Sequence, residues 1–294
     1  RSITAEYAGD AGHAGATSAA LAQQIVANST TTSVSAPKSS SAYRESITFT
    51  IRVESTTGIP AGTATLYDGA TQIGSPCTLN AGGTCTVSTS LLTVGAHDIS
   101  AVYAGSGNYT TSTSSPLTHT IVAVATTTTL GTVPNPVVAL STVTFTATVD
   151  ATTATPVGTA RFFDGETEIG SCTLATISAT RARCDWSTAS LLPGTHQITA
   201  RFIDGAEFAS SQSAATALVV KAITTTTVTS AAASAPYAGV VTFTVSVSAS
   251  DGSAVPTGSV TVKDGGVSIG TCALAGAGGM TAACDVTTAS LALG

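Results

Sequence analysis

The chain repeats itself, and that feature constrains its fold more than any other. The segments "SITFTIRV" (46–53), "TVTFTATV" (142–149) and "VVTFTVSV" (240–247) place Phe49, Phe145 and Phe243 at intervals of 96 and 98 residues. A second marker, "LYDGATQIGSPCTL", "FFDGETEIGSCTL" and "VKDGGVSIGTCAL", places Asp68, Asp164 and Asp264 at intervals of 96 and 100 residues. Self-similarity at such a period means one folding unit used in tandem. A unit of about 100 residues is the size of a single two-sheet β-sandwich.

Within each unit the apolar residues alternate. Val143, Phe145, Ala147 and Val149 share one face, and Thr142, Thr144, Thr146 and Thr148 share the other, the pattern of a half-buried strand. Asp68-Gly69, Asp164-Gly165 and Asp264-Gly265 each stand between two such runs, where a type I′ turn joins antiparallel strands. Val94-Gly95 and Pro193-Gly194 mark a further turn. In the middle copy this reading predicts seven strands, A to G, at 126–132, 143–149, 158–163, 168–174, 182–187, 196–202 and 214–220. The expected fold class is all-β, a row of seven-stranded sandwiches in an elongated array.

Composition agrees. With 43% hydrophobic, 9% charged and 5% aromatic residues, the chain has enough apolar matter for cores and favours short strands with small polar faces over helices. The formal net charge is −6, and no stretch gathers Lys or Arg, so the electrostatic footprint of a nucleic-acid or anionic-membrane binder is missing. No apolar run approaches the roughly 18 residues that a membrane helix needs, so no membrane insertion is expected in this segment. The chain begins with Arg, so the lack of a signal peptide is read only as the mark of a processed or cropped piece.

The stretches "ATTTTLGTVPNPV", "TVTFTATV", "GTARFFDG", "GTHQITARF" and "YAGSGNYTTSTSSPLTHTIV" resemble the bacterial Ig-like repeats found in tandem in large surface and secreted proteins. The resemblance covers essentially the whole chain. It implies Ig-like sandwiches and a structural or adhesive role, with no catalytic motif. The joints "TIVAVATTTTL" (120–130) and "LVVKAITTTTV" (218–228) contain no Gly or Pro, so a stiff array is expected. At ~3.3 Å per strand residue, three units would extend on the order of 100 Å.

The repeat phase divides the chain into 1–29 (strands F and G only), 30–124, 125–221 and 222–294 (strands A to E, lacking F and G). Arg1 aligns with His97 and His196, and Gly294 with Gly95 and Gly194. Ile3, Ala5 and Tyr7 match Ile99, Ala101 and Tyr103, or Ile198, Ala200 and Phe202, and Leu21 and Ile25 continue an apolar face in the next strand. Their acceptor would be the core of the last repeat, Phe243, Val245, Val260 and Val262. Without strand F that repeat exposes apolar surface and an unpaired edge. Three arrangements stay open: a window cut from a longer continuous array, completion of one copy's last sandwich by the first strands of the next, and closure of a single chain on itself, which stiff joints oppose. The first two make the same contact along an open filament, so the expected partner is the chain itself, head to tail.

The six Cys fall two per repeat, Cys77 with Cys85, Cys172 with Cys184 and Cys272 with Cys284, each pair bracketing a hairpin. Cross-strand disulfides are expected, stabilising by roughly 2 to 3 kcal/mol each and implying an oxidising compartment outside the cytoplasm. A metal site lacks C-x-x-C and His at ligand spacing; reduced core thiols are the other alternative. His13, His97, His119 and His196 are scattered, but His97 and His196 share one repeat position, which points to a structural role. Asp164, Glu166 and Glu168, or Asp204 and Glu207, are read as solvated turn residues or a Ca²⁺ site. Lys38, Lys221 and Lys263 stand at unrelated phases, which opposes an intramolecular isopeptide bond. Asn28-Ser29-Thr30 and Asn108-Tyr109-Thr110 fit the N-glycosylation pattern, a weak match in a Thr-rich chain. Trp186, the only Trp, replaces Val87 and Val286 of the other copies and is read as a packing variant or a sugar-stacking residue.

The sequence thus points to a structural subunit or segment of an extracellular or cell-surface bacterial filament or stalk. The alternative is an adhesin segment whose loops bind surface glycan or a cell, hinted at by Phe163, Trp186 and Phe208. No nucleophile, acid–base pair or cofactor loop recurs, so neither an enzyme nor a cofactor is expected.

Overall fold

The computed structural model describes residues 1–131, 133–203, 205–249 and 254–292, and among them every regular element is a β-strand. No helix among the described residues is long and apolar enough to cross a membrane. The chain divides into two compact units, Arg1–Val124 and Ala125–Gly294.

The first unit opens with four short strands, β1 (Ser2–Ile3), β2 (Glu6–Tyr7), β3 (Ala16–Thr17) and β4 (Leu21–Ala22). A complete sandwich follows, built from β5 (Thr31–Ser35), β6 (Ser40–Ala42), β7 (Ile47–Glu54), β8 (Thr63–Asp68), β9 (Thr71–Thr78), β10 (Thr84–Thr89), β11 (Gly95–Tyr103), β12 (Ser112–Thr113) and β13 (Leu117–Val122). One sheet runs β10-β7-β5 and the other β6-β13-β11-β8-β9, with β12 beside β11. Period 2 decides which residues enter the core. On β7, Ile47, Phe49, Ile51 and Val53 are buried, and across from them lie Ala64, Leu66, Ile99, Ala101 and Tyr103, all fully enclosed. Each large side chain so buried contributes roughly 1.5 to 3 kcal/mol.

The second unit repeats this plan with β14 (Thr126–Leu130), β15 (Val137–Val138), β16 (Val143–Ala151), β17 (Thr159–Asp164), β18 (Thr167–Thr173), β19 (Ala175–Ser178), β20 (Arg181–Thr188), β21 (Gly194–Ile203), β22 (Ser211–Gln212) and β23 (Thr216–Lys221). The sheets run β14-β16-β20-β19 and β15-β23-β21-β17-β18, with β22 beside β21, around a core of Val143, Phe145, Ala147, Ala160, Phe162, Ile198, Ala200 and Leu218. All seven expected strands are present; of the first, Thr132 lies outside the described residues. The fourth changes sheets: β18 pairs with β17, and β19 then pairs with β20 in the opposite sheet.

The unit continues into β24 (Thr224–Ser230), β25 (Val241–Ala249), β26 (Ser259–Asp264), β27 (Val267–Ala273), β28 (Ala275–Gly278) and β29 (Thr281–Thr288). Here, among the described residues, one sheet, β24-β25-β29-β28, faces the hairpin β26-β27 alone. Leu293 and Gly294, the last positions of the repeat alignment, lie outside the described residues.

The turn chemistry differs from the expectation in one respect. Asp68, Asp164 and Asp264 are the last residues of their strands, paired with Thr71, Thr167 and Val267, so the two-residue turns are Gly69-Ala70, Gly165-Glu166 and Gly265-Gly266. In the first two only the Gly has positive φ (54° and 57°), as a type II′ turn requires. The aspartates are thereby freed for another task.

Candidate functional site

Residues 1–28 already hold the shape of an F–G hairpin. Ser2 pairs with Ala22 and Ile3 with Leu21, as Asp98 pairs with Thr118 and Ile99 with Leu117 in the first complete sandwich. Glu6 pairs with Thr17 and Tyr7 with Ala16, as Val102 pairs with Thr113 and Tyr103 with Ser112. A serine hydroxyl bridges the kink between the two halves: the Ala5 amide donates to Ser18 Oγ at 2.9 Å, the Ala101 amide to Ser114 Oγ at 2.9 Å and the Ala200 amide to Ser213 Oγ at 3.0 Å. Sequence reasoning missed these serines, although aligning the repeats brings them into one column.

What differs is cover. Ile99, Ala101 and Tyr103 are fully buried, whereas Ile3 is 50% exposed, Tyr7 49%, Leu21 65% and Ile25 72%. Ala5 is exposed as well. Among the described residues nothing covers the apolar face that the hairpin presents.

The last repeat shows the converse. In the complete sandwiches β8 and β17 each pair on both sides, with β11 and β21 on the inner edge. Their equivalent β26 pairs with β27 alone among the described residues. Val260 and Val262 are half-buried where Ala160 and Phe162 are sealed, and Phe243 is half-buried where Phe49 and Phe145 are sealed. Val245, deeper in the sheet, is buried. A recess of about 510 Å³ opens beside them, lined by Pro236, Tyr237, Phe243 and Leu291. Tyr237 is 75% exposed, although Tyr43 and Ala139 at the same position are buried, their amides donating to the Val122 carbonyl of β13 and the Lys221 carbonyl of β23.

A histidine clamp closes each complete sandwich. His97 Nδ1 lies 2.8 Å from Asp68 Oδ2 and Nε2 lies 2.8 Å from the Thr93 carbonyl; the His196 distances are 2.6 Å to Asp164 Oδ2 and 2.7 Å to the Leu192 carbonyl. Both ring nitrogens face acceptors, and an imidazole donates from both only when protonated. Burial works against the charged ring, but the Thr93 carbonyl and the Asp68 carboxylate outweigh it and raise the His97 pKa; Asp164 and the Leu192 carbonyl raise that of His196. Asp264, the third member of the series, is exposed and forms no ion pair among the described residues.

The other candidates are absorbed by the fold. Disulfides join Cys77 to Cys85, Cys172 to Cys184 and Cys272 to Cys284. Trp186 stacks on Phe145 and Phe162, with centroids 5.9 and 5.6 Å away. The acidic residues of the middle repeat pair with His196 (Asp164), Arg201 (Glu166) and Arg161 (Glu168), while Asp204 lies outside the described residues. Phe163 lies under the Arg201 guanidinium, and Phe208 packs edge-on against Phe202. Among the described residues no group of three His, Cys, Asp or Glu is placed to hold a metal ion.

Two-layer sandwiches, each made of one repeat and its own disulfide, define a tandem immunoglobulin-like architecture. The chain belongs to the bacterial Ig-like domain family (group 3), whose model matches residues 33–122 and 129–221. No curated protein matches it. Similar solved structures include the Clostridium thermocellum CbhA fibronectin(III)-like modules (21% identity, 64% of this chain and 94% of that one, TM-score 0.27). The tetra-tandem repeat in the extending region of a large adhesion protein is 16% identical over 89% of this chain and 66% of that one, with a TM-score of 0.40. The titin I-band fragment I67-I69 is 13% identical over 90% and 89%, with a TM-score of 0.36.

Proposed function

We propose that this chain is a structural segment of an extracellular bacterial filament or stalk, in which the sandwich begun at residue 222 is completed by an F–G hairpin of the kind carried at residues 1–28. One observation carries the reading. The hairpin stands in the register of the complete repeats with its apolar face bare, and the last repeat has a bare apolar face where that hairpin belongs. Joining them would cover the exposed parts of Ile3, Tyr7, Leu21 and Ile25 at roughly 1 to 2 kcal/mol each, and would pair a strand edge that otherwise invites non-specific association. The hairpin needs little ordering before it binds, which lowers the cost of docking.

Disulfides in every repeat support an oxidising location outside the cytoplasm. The role is mechanical: load passes through sandwich cores, and each disulfide limits how far its hairpin can be drawn out.

Sedimentation velocity of the 294-residue chain over a range of concentrations tests the reading. A ladder of head-to-tail oligomers that grows with concentration is expected, and Tyr7→Asp should abolish it by placing a charge in the apolar face. A monomer at every concentration would overturn the proposal.

A further inference from the structure

Resting on the strand-completion reading, we infer that the free edge of β26 takes the hairpin of a second copy in one defined register, selected by two ion pairs, Arg1 with Asp264 and Glu6 with Lys263. The register follows from the complete sandwich of the second unit, where Ala160 faces Phe202, Phe162 faces Ala200 and Asp164 faces Ile198. Carried to the last repeat by the repeat alignment, Val260 faces Tyr7, Val262 faces Ala5 and Asp264 faces Ile3. All the apolar residues then point into the open core.

Arg1 stands in this register where His97 and His196 stand, and their Nδ1 atoms lie 2.8 and 2.6 Å from Asp68 and Asp164. Asp264 occupies the aspartate position of that clamp and forms no ion pair among the described residues. A guanidinium, charged at any physiological pH and able to donate in a fork, suits a carboxylate there.

The second pair is independent of the first. Side chains at 163 and 201 touch diagonally across β17 and β21, with the Arg201 guanidinium 4.2 Å over the Phe163 ring. The equivalent positions hold Lys263 and Glu6, which are exposed and of opposite charge; in the first sandwich they hold Tyr67 and Val102, so neither complete repeat has this ion pair. A slip of two residues keeps the apolar face inward in either direction, but one direction parts Glu6 from Lys263 and the other parts Arg1 from Asp264, so only the two pairs together single out this register.

Two further contacts follow from the same alignment. Tyr103 Oη donates to the Ala61 carbonyl at 2.6 Å, and the equivalent carbonyl is that of Thr257, to which Tyr7 would turn from its present partner Asp10. Ser40–Ala42 runs parallel to residues 120–122, and the equivalent pairing sets residues 24–26 beside 234–236, over the recess at Tyr237.

The test is a charge-reversal cycle on the whole chain: Arg1→Asp and Asp264→Arg singly and together, then Glu6→Lys and Lys263→Glu likewise, with self-association followed by sedimentation velocity at low and high salt. All four side chains are exposed, so folding of the variants is checked by circular dichroism and should be unchanged. Each single reversal should weaken association about tenfold, each double should restore it to within a few-fold, and salt should shrink both effects. Wild-type chains that associate while the reversals have no effect, or lose affinity additively, overturn the register and leave strand completion standing. A wild-type chain that never associates overturns strand completion and this inference with it.

Discussion

Gly170 on β18 lies directly against the indole of Trp186 on β20, with no room for a Cβ between them. The ring is held there by packing beside Phe145 and Phe162, nearly parallel to both, with interplanar angles of 15° and 22°. The last repeat uses the same contact with a smaller partner, since a Cβ on Gly270 would overlap Val286. The glycine of the "IG(S/T)C" segment is therefore the space into which the next strand's central side chain fits.

Gly170→Ala should destabilise the second sandwich by roughly 1 to 3 kcal/mol through overpacking. Trp186→Val should recover part of that loss in the double variant. Calorimetry of the four chains measures the coupling; purely additive effects would show that the two residues do not share the space.

The histidine clamp makes a prediction about pH. His196 has a raised folded pKa, so its contribution is fully present below the unfolded value near 6.5 and is lost as pH rises through the folded value. The second sandwich should thus melt lower as pH rises through that window, and His196→Gln should remove the slope. Trp186, the only Trp, reports the melting of this sandwich. The first sandwich is less suited to the measurement, because burial lowers the pKa of His119 and gives the opposite trend.

The disulfides close segments with sequence separations of 8, 12 and 12 residues. On the chain-entropy model each stabilises by roughly 2 to 3 kcal/mol. Peptide mapping without reductant should recover the pairs 77–85, 172–184 and 272–284, and reduction should lower the denaturant midpoint. An unchanged midpoint would count against this role.

Arg44, Leu140 and Ala238 share one position of the repeat and one left-handed conformation, with φ of 65°, 64° and 59°. Leu140 is largely exposed, so its side chain gains little from burial there. Leu140→Gly should raise stability by about 0.5 to 1 kcal/mol by relieving the Cβ clash of that conformation. Thermal melting followed at Trp186 reads the effect, and a lower melting temperature would mean that Leu140 packs in a way its exposure does not reveal.

Much of this fold is legible in the order of residues. The alternation around Phe145 locates β16, the Asp-Gly pairs locate three hairpins, and the spacing of the cysteines matches the three bridges. Such signals are local, because period 2 and turn preference depend on neighbours along the chain. Asp164 reads as a turn residue in the sequence, but its real partner, His196, lies 32 residues away. Asp164, Glu166 and Glu168 suggest a cluster only while proximity in sequence stands for proximity in space; the folded strands send them to His196, Arg201 and Arg161.

The repeat, the β class, the family and the phase at which strands F and G stand apart from strands A to E are all set by the amino-acid order alone. Two features emerge only in three dimensions: residues 1–28 hold the F–G register without a sandwich beneath them, and β26 keeps one edge unpaired among the described residues. Hydrogen-bond register within a hairpin is set by its own turn and kink, which are local. Burial of its apolar face depends on a second sheet, which the one-dimensional pattern calls for but does not supply.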